Sequence, residues 1–482
     1  MEKTGKEKVI LIIANTRWHG RRPWMFLAHA PLILTALLKN EFDFHILDAN
    51  VDDLSDAECE TRLRSLNPVA VLVSGFGTEY HRQYHTAFAI AKRANPNVVT
   101  ILGGVYPTVL GEEAIKDTNI DYLFIGHAEE RVANFMHLIL SQNKSGLESF
   151  SGIVYRDASG TPVWNPVQSY IADVKKLTKP DYSLMNISRY LQATSKDYQF
   201  NSKRLSAPLL SSFGCSYNCS FCASRTISGR GVVLRPVEDV FEEIELLKSN
   251  YGVENLIIID DCFLADRTRA EAILNGFISR KYSLTWKAAS FSAWHIDDML
   301  LELMKKSGCT QITISVESGN QRVVQKIMHK PLKLEIVPGI VKKCKELGID
   351  IGANFVIGSP GETWDEIRDS FKFAEYCDFD LAHFHIATPL PKTELFEICK
   401  RDNLLPSDFS FLDPNFFGYA RGYITTNEFT PRELMVLRAY EWDRINFSTP
   451  EKTAKAAQMM CLTIDQLKEY RKQTRLKCGI HF

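Results

Sequence analysis

Three of the eleven cysteines fall together in Phe213-Gly-Cys215-Ser-Tyr-Asn-Cys219-Ser-Phe-Cys222, a C-x3-C-x2-C arrangement. Thiolates are soft metal ligands. Four of them close an iron–sulfur cluster, whereas three leave one iron open to a small molecule, much as an open position separates catalytic from structural zinc. Gly214 and Asn218 suit the tight turns that such a loop needs. Read from these residues alone, the triplet also admits a zinc site completed by a distant ligand, or thiols that are merely neighbours. Zinc sites usually bring a second close Cys or His pair, and none follows here. The other eight cysteines (Cys59, Cys262, Cys309, Cys344, Cys377, Cys399, Cys461 and Cys478) are scattered and read as small buried hydrophobes. Among them Cys262, directly after Asp261, is the one candidate for a catalytic thiol. An odd cysteine count in a long chain without a secretion signal argues against a disulfide framework.

At the cysteine loop the sequence resembles the radical S-adenosylmethionine (SAM) superfamily, whose C-x3-C-x-aromatic-C loop, here with Phe221, holds a [4Fe-4S] cluster. The resemblance covers most of the chain. It implies that Cys215, Cys219 and Cys222 ligate the cluster, that SAM chelates the open iron, and that reductive cleavage of SAM yields a 5'-deoxyadenosyl radical. It also implies an external one-electron reductant such as flavodoxin or ferredoxin. Other segments match the family in turn. Asp260 and Asp261 close Ile257-Ile-Ile-Asp-Asp, at the end of a strand where site residues leave a βα barrel, and are expected to touch SAM or substrate, the alternative being a helix N-cap or a solvated turn. Glu317, in Ser315-Val-Glu-Ser-Gly319, resembles the family's Glu-Ser-Gly motif near SAM, with a helix cap as its alternative. Ile357-Gly-Ser-Pro-Gly-Glu-Thr363 matches an apolar-Gly-x-Pro-Gly-Glu-Thr motif in which Gly358 lets the backbone approach SAM, and Asn354 is expected to point inward toward it. Related enzymes often carry Arg near the third strand, but Ala288 to Met304 holds neither Arg nor Lys, which leaves the partner of the SAM carboxylate unassigned.

The first part of the chain resembles corrinoid-binding domains. Ser74-Gly-Phe76 is followed after 26 residues by Gly103-Gly104, the second half of a Ser-x-Leu…Gly-Gly pattern with Phe for Leu. Ser74 could hydrogen-bond a buried nitrogen of the nucleotide tail, and Gly103 and Gly104 would let a flat ring slide against the backbone. Gly103-Gly-Val-Tyr-Pro-Thr108 also resembles the Gly-Gly-x-x-Pro-Thr segment of cobalamin-dependent radical SAM enzymes. The Asp-x-His-x-x-Gly half is absent. His45, in Asp43-Phe-His45-Ile-Leu-Asp48, reads as a strand histidine, and His19, in Trp18-His-Gly20, is a minor candidate for a cobalt ligand. Cobalamin bound without a protein histidine is what the resemblance implies, and an open lower face favours methyl transfer.

These residues need a scaffold, and the hydrophobic periodicity supplies one. Short apolar runs at Val9 to Ile13, Phe44 to Leu47, Val69 to Val73, Val98 to Leu102 and Tyr122 to Ile125 alternate with amphipathic stretches, the mark of a doubly wound parallel sheet whose ligands lie at the strands' C-terminal ends. A second series has strands at Leu209 to Phe213, Leu256 to Ile259, Leu284 to Ala288, Gln311 to Val316, Ile351 to Ile357 and Ala382 to Ile386. The expected class is therefore α/β: a Rossmann-like cobalamin-binding domain over residues 1–141, a linker with a small hairpin over 142–205, a partial (β/α)6 TIM-type radical SAM barrel over 206–391, and a mostly helical region over 392–482 that covers an open face. Helices are expected at Glu433 to Phe447 and Ile464 to Leu476, and Trp286, Trp294, Phe384 and Tyr423 read mainly as core.

The composition agrees. The 482 residues carry 57 basic and 58 acidic side chains, a net charge of -1 with no basic run, which argues against a nucleic-acid partner. No stretch approaches the roughly 18 to 20 apolar residues of a membrane span, and the start lacks an apolar signal core, so the expected location is the cytoplasm. The leading expectation is a cobalamin-dependent radical SAM methyltransferase, acting through a 5'-deoxyadenosyl radical and methylcobalamin on an unactivated carbon or on phosphorus of a small molecule. A radical cyclase, rearrangement or oxidation enzyme like the anaerobic porphyrin-ring cyclase is the alternative, and a non-enzymatic corrinoid or iron–sulfur sensor the third.

Overall fold

The computed structural model describes residues 5–21, 23–129, 131–141, 145–168, 178–194, 204–414, 416, 418 and 420–478. The chain divides into two compact units, Met1–Ala193 with Thr226–Gly229, and Thr194–Arg225 with Arg230–Phe482. Parts of the expected linker, 142–144, 169–177 and 195–203, lie outside the described residues.

The first unit is built on a seven-stranded sheet in the order β2-β1-β3-β4-β5-β6-β7. Its strands are β1 (Lys8–Ile13), β2 (Asp43–Asp48), β3 (Ala70–Gly75), β4 (Val99–Gly104), β5 (Tyr122–Phe124), β6 (Ile153–Arg156) and β7 (Pro162–Trp164). The first five run parallel, as the βα alternation requires. The central strands read as continuous apolar runs because helices cover both faces; Val9, Ile10 and Leu11 are wholly buried. On one face Val9, Leu11, Leu72 and Ile101 pack with Leu34 and Leu38 of helix His29–Leu38 and with Phe135 and Ile139 of helix Val132–Leu140. The expected hairpin forms, but as the outer two strands of this sheet, with β6 antiparallel to β5 and β7 to β6. Buried Ile153 and Tyr155 join the sheet's own core, and this contact ties the hairpin to the first unit.

The strand order reverses between β1 and β3. Chain connections leave these two strands in opposite directions, opening a crevice at their C-terminal ends.

In the second unit six parallel strands lie in the order β15-β14-β13-β12-β11-β8, the sequential arrangement of an open (β/α)6 barrel. They are β8 (Ser206–Leu209), β11 (Asn255–Ile258), β12 (Thr285–Phe291), β13 (Cys309–Glu317), β14 (Asp350–Ile357) and β15 (Leu381–Ile386). One expectation needs correcting: Leu209 to Phe213 is not a single strand. The barrel strand stops at Leu209, and Ser212–Phe213 (β9) turns away to pair antiparallel with Val233–Leu234 (β10). Side chains take over from the ladder at the break, where Arg235 donates to the Leu210 carbonyl (2.6 Å) and Asp260 accepts the Ser211 N–H (2.8 Å).

Beyond the barrel the described chain is mainly helical, with Glu394–Arg401, Pro431–Asn446, Pro450–Met459 and Ile464–Lys477. Two of these, Glu394–Arg401 and Pro450–Met459, escape the periodicity reading. Helix Pro431–Asn446 seals the edge of β15. Asn446 accepts the Ala382 N–H (2.7 Å) and donates to the Ala382 carbonyl (2.9 Å), and Arg438 donates to the Phe384 carbonyl (2.5 Å). These side chains satisfy groups that a seventh strand would otherwise pair. Among the described residues no helix is long and apolar enough to cross a membrane.

Candidate functional site

The cysteine loop leaves the C-terminal side of β8 and is tied down along its length. Gly214 N–H donates to Asp261 Oδ2 (3.1 Å), and the Ser224 hydroxyl donates to the same oxygen (3.0 Å), so one carboxylate grips the loop before Cys215 and after Cys222. Within the loop, the Tyr217 hydroxyl accepts from Trp294 Nε1 (2.7 Å) and bonds His295 Nε2 (2.8 Å), while Ser220 donates to the Ile327 carbonyl (2.8 Å). Trp294 therefore holds the loop, whereas Trp286, Phe384 and Tyr423 are core. Cys215 and Cys219 are half-buried and Cys222 is exposed.

The two aspartates separate sharply. Asp261 positions the loop. Asp260 points into the protein, where it accepts from Ser211 N–H, Ser211 Oγ (2.6 Å) and Ser212 Oγ (2.5 Å). Burial raises its pKa against these bonds and the nearby Arg269. Its expected contact with SAM or substrate is corrected: the carboxylate is spent on holding the break between β8 and β9. Neither residue caps a helix; that role falls to Asp266.

Glu317 ends β13 with φ +69° and forms an ion pair with Lys330, Oε1 to Nζ 2.6 Å, both side chains under a tenth exposed. Lys330 Nζ also donates to the Ser315 carbonyl (3.1 Å) and lies 5.4 Å from the Trp294 ring centroid. Glu317 is thus no helix cap. Lys330 is a buried cation that arrives from the segment after β13, and the third barrel strand carries another, Lys287 on β12. The charge of Lys330 reaches the cysteines. Burial pushes the Cys219 thiol up to about 12, with Lys330 opposing and Cys222, Glu317 and Cys215 adding to the rise.

Asn354 stands half-buried on β14, beside Ser315 on β13 and His383 on β15 in register. Its neighbours Ala353 and Phe355 are wholly buried on the opposite face, so Asn354 lies on the inner face of the barrel sheet. His383 and His385 share that face of β15, and no motif in the sequence marks them. Burial and the charge of Arg438 hold the first down to about 4, and burial, His383 and Arg438 hold the second down to about 3, so both imidazoles are neutral at neutral pH.

Gly358 has φ +83°, but the room expected in front of it for SAM is filled by Leu434 of helix Pro431–Asn446. The motif's buried acid is Glu362, whose Oε2 accepts Gly358 N–H (2.8 Å) and Ser359 N–H (2.9 Å) and closes the turn. Cys262 is buried, its Sγ 4.0 Å from Ser292 Oγ; interaction with the Cys262 thiol pulls Cys215 down to about 7, and its counterpart drives Cys262 upward.

In the first unit a cleft opens at the β1/β3 switch point. Ser74 and Phe76 line it, together with the end of β1 and Trp24, Phe26 and Tyr190. Thr16 and Asn50 fasten the Trp24 segment over the strand ends: Trp24 N–H donates to Thr16 Oγ1 (2.9 Å), and Asn50 Nδ2 donates to the Trp24 carbonyl (3.0 Å). Tyr190 donates to Asp48 Oδ2 (2.8 Å), and burial raises Asp48 to about 6. Gly103 and Gly104 pair in register with Ser74 and Gly75 and do not line the cleft. Gly104, at φ +94°, is required by the fold, since a Cβ there would sit 2.8 Å from the Gly75 carbonyl oxygen; at Gly103 the nearest atom, Phe124 Cβ, would be 3.7 Å away. His19 bonds Thr86 (2.9 Å), outside the cleft lining, and His45 pairs with Asp43 on the exposed face of β2.

Residues 30–136 match the B12 binding domain family, and residues 209–374 match the Radical SAM superfamily. The chain belongs to the radical SAM superfamily, with a B12-binding domain ahead of its radical SAM domain. It is 27% identical over 397 residues to the cytidylyl-2-hydroxyethylphosphonate methyltransferase of Streptomyces wedmorensis, covering 77% of this chain and 72% of that protein. It is 25% identical over 358 residues to the anaerobic magnesium-protoporphyrin IX monomethyl ester cyclase of Rubrivivax gelatinosus, covering 74% of this chain and 62% of that protein. The fold is also that of the radical SAM methyltransferase TsrM from Kitasatospora setae, solved with cobalamin and a [4Fe-4S] cluster bound; the TM-score is 0.74 at 15% identity over 98% of this chain and 99% of that one.

The radical SAM domain's donor set fits its cluster. Three thiols share one clamped loop, and the burial that keeps the Cys219 thiol protonated, with smaller rises from Cys222, Glu317 and Cys215, is what binding to cationic iron offsets. Among the described residues no three His, Cys, Asp or Glu side chains form a preassembled metal site, so the loop presents neighbouring thiols that must close on the metal. In the B12-binding domain the cleft stands at the sheet's switch point, where doubly wound sheets take their ligands, and its aromatic lining suits the flat face of a ring.

Proposed function

We propose that this radical SAM protein is a cobalamin-dependent methyltransferase that methylates an unactivated carbon, or phosphorus, of a small molecule. The observation that carries the reading is the joint match of one chain to the B12-binding and radical SAM families, with a methyltransferase among its relatives over most of both lengths. When bound, the cluster and SAM supply a hydrogen-abstracting radical, and cobalamin supplies the methyl group.

The chain's own residues supply position and shielding. Cys215, Cys219 and Cys222 hold the cluster, with Asp261 fixing both ends of their loop. Lys330 would be the partner for the carboxylate of SAM, and Glu317, paired to it, would orient that ammonium and accept from the SAM amino group. Asn354 offers hydrogen bonds from the barrel's inner face, and Phe221 flanks Cys222. Ser74 and Phe76 receive cobalamin with Trp24 and Tyr190, and Gly103 and Gly104 keep β4 close beside them. An external one-electron reductant completes the system, and the cytoplasm is the compartment that keeps such thiols reduced.

The test is product analysis on anaerobically reconstituted enzyme with bound cobalamin confirmed by its absorption spectrum. Methyl transfer predicts S-adenosylhomocysteine alongside 5'-deoxyadenosine. Deoxyadenosine without S-adenosylhomocysteine would instead favour cyclisation or oxidation, the chemistry named for the Rubrivivax relative.

A further inference from the structure

On the reading of this chain as a methyltransferase of small molecules, we propose that His383 and His385 of β15 hold the substrate by an oxyanion that it carries, a carboxylate, phosphate or phosphonate group. The two histidines flank Phe384, which is wholly buried and packs on Phe371 of helix Trp364–Cys377, ring centroids 4.7 Å apart. Strand alternation therefore turns both imidazoles to the inner face of the barrel sheet, where they are half-buried. Their ring centroids are 6.3 Å apart and their planes 20° from parallel, so both can reach one small group. His383 stands in register with Asn354 on β14, and Asn354 with Ser315 on β13, whose hydroxyl bonds that of Ser290 on β12 at 2.6 Å. One polar row thus crosses four strands inside the barrel. Among the described residues nothing hydrogen-bonds the His383 ring or the Asn354 side-chain amide, so both keep that capacity for a ligand.

Ser315 ties this row to the SAM side of the site. Its carbonyl accepts from Lys330, the residue read as partner of the SAM carboxylate, at 3.1 Å. With neighbouring strands about 4.8 Å apart, His383 stands two strands, or about 10 Å, across the sheet from that point. A small molecule fits between, its anionic end at the histidines and its reacting atom toward SAM. Charge selects the ligand class. Arg438 Nε donates to the Phe384 carbonyl (2.5 Å), between the two histidines, and among the described residues it is the only charged side chain whose field reaches both rings. A fixed cation in a largely desolvated site favours an anion, to which each neutral imidazole offers one ring N–H. Alternate histidines on one strand face can also chelate a transition metal. Among the described residues, however, no third His, Cys, Asp or Glu joins them, and Arg438 repels a cation.

The test is anaerobic titration calorimetry of the reconstituted full-length enzyme, with inorganic phosphate, methylphosphonate, acetate, zinc chloride and SAM as separate probes. Wild type is compared with the double variants His383→Phe/His385→Phe, which keeps the rings but removes the donors, and His383→Gln/His385→Gln, which keeps a neutral donor. Wild type should bind at least one of the three anions at a single site. A hydrogen bond to a charged group is worth about 1.5 kcal/mol or more, so each lost donor should weaken that binding about tenfold. The glutamine variant should recover part of the loss, and SAM affinity should stay at the wild-type level in all three proteins. No anion binding by wild type overturns the proposal, and so does unchanged binding in the phenylalanine variant. Weakened SAM binding in that variant also overturns it, by assigning the pair to SAM, as does zinc bound by wild type and lost with the histidines. If the phenylalanine variant does not fold, the bound anion should protect His383 and His385 of wild type from diethyl pyrocarbonate, read by peptide mass spectrometry, and no protection overturns the proposal. Calorimetry reads the site without turnover, so a failure of methyl transfer in product analysis sinks the methyltransferase reading and is distinct from every failure named here.

Discussion

Glu317 and Lys330 meet at 2.6 Å where β13 ends, both withdrawn from solvent, and Lys330 extends its charge to Cys215 and Cys219. Two opposite charges buried together are stable only as a pair, and removing one partner strands the other. Lys330→Met is expected to destabilise the protein by about 3 kcal/mol or more, whereas the double variant Glu317→Gln/Lys330→Met should recover part of that loss. Thermal denaturation of the three proteins checks this. If Lys330 holds the SAM carboxylate, equilibrium binding should also show weakened SAM affinity in both variants, including the one whose stability recovers.

Asp260 and Asp261 are adjacent but do different work, and substitution should separate them. Asp260→Ala leaves Ser211 and Ser212 without their buried acceptor and should cost about 2 to 3 kcal/mol of stability. Asp261→Ala should leave global stability nearly intact but loosen the cysteine loop, read as lower iron content after reconstitution and faster cluster loss in air. Equal effects of the two on stability would contradict this division.

Glu362 gives a pH dependence with a definite sign. Burial raises its pKa from 4.5 to about 8, against the backbone bonds from Ser359 and Gly358. A carboxyl whose folded value lies above its unfolded one contributes stability fully below 4.5, and the contribution is lost as pH rises toward 8. A tenfold difference in proton affinity between the folded and unfolded chain corresponds to about 1.4 kcal/mol, so thermal stability should fall by a few kcal/mol across that window. Glu362→Gln, which stays neutral, should flatten the fall; a parallel loss in the variant would assign it to other groups.

The two neighbouring glycines of β4 should respond differently to alanine. At Gly104 a methyl group meets the Gly75 backbone in a left-handed conformation, and a loss of about 1 to 3 kcal/mol with reduced cobalamin retention is expected. At Gly103 it meets only ordinary contact with Phe124, and both stability and the cobalamin absorption spectrum should stay close to wild type.

Much of this architecture is carried by local pattern. Apolar runs such as Val9 to Ile13, short and set between amphipathic stretches, read as strands buried on both faces, and that alternation marks parallel βα sheets. The cysteine triplet is equally local, since its spacing within one loop suffices to present three thiols to one cluster. Ser74 and Phe76 are legible because they follow a strand whose end faces the switch point.

What only the tertiary structure decided are relations between residues remote in the chain and the directions in which side chains leave a strand end. Nothing local shows that Asp260 turns inward to Ser211 while Asp261 reaches Gly214, because the choice is set by which donors the neighbouring chain offers. Lys330 joins the site only because the chain returns after β13 and brings it against Glu317 and Trp294. Leu434 filling the room before Gly358 and Asn446 closing the edge at Ala382 are of the same kind. By itself, the sequence determined which elements form and which residue types carry the chemistry, since both depend on neighbours in the chain. Packing determined which polar groups are used up in holding the fold and which stay available to the site, because burial and hydrogen-bond partners exist only once distant segments have met.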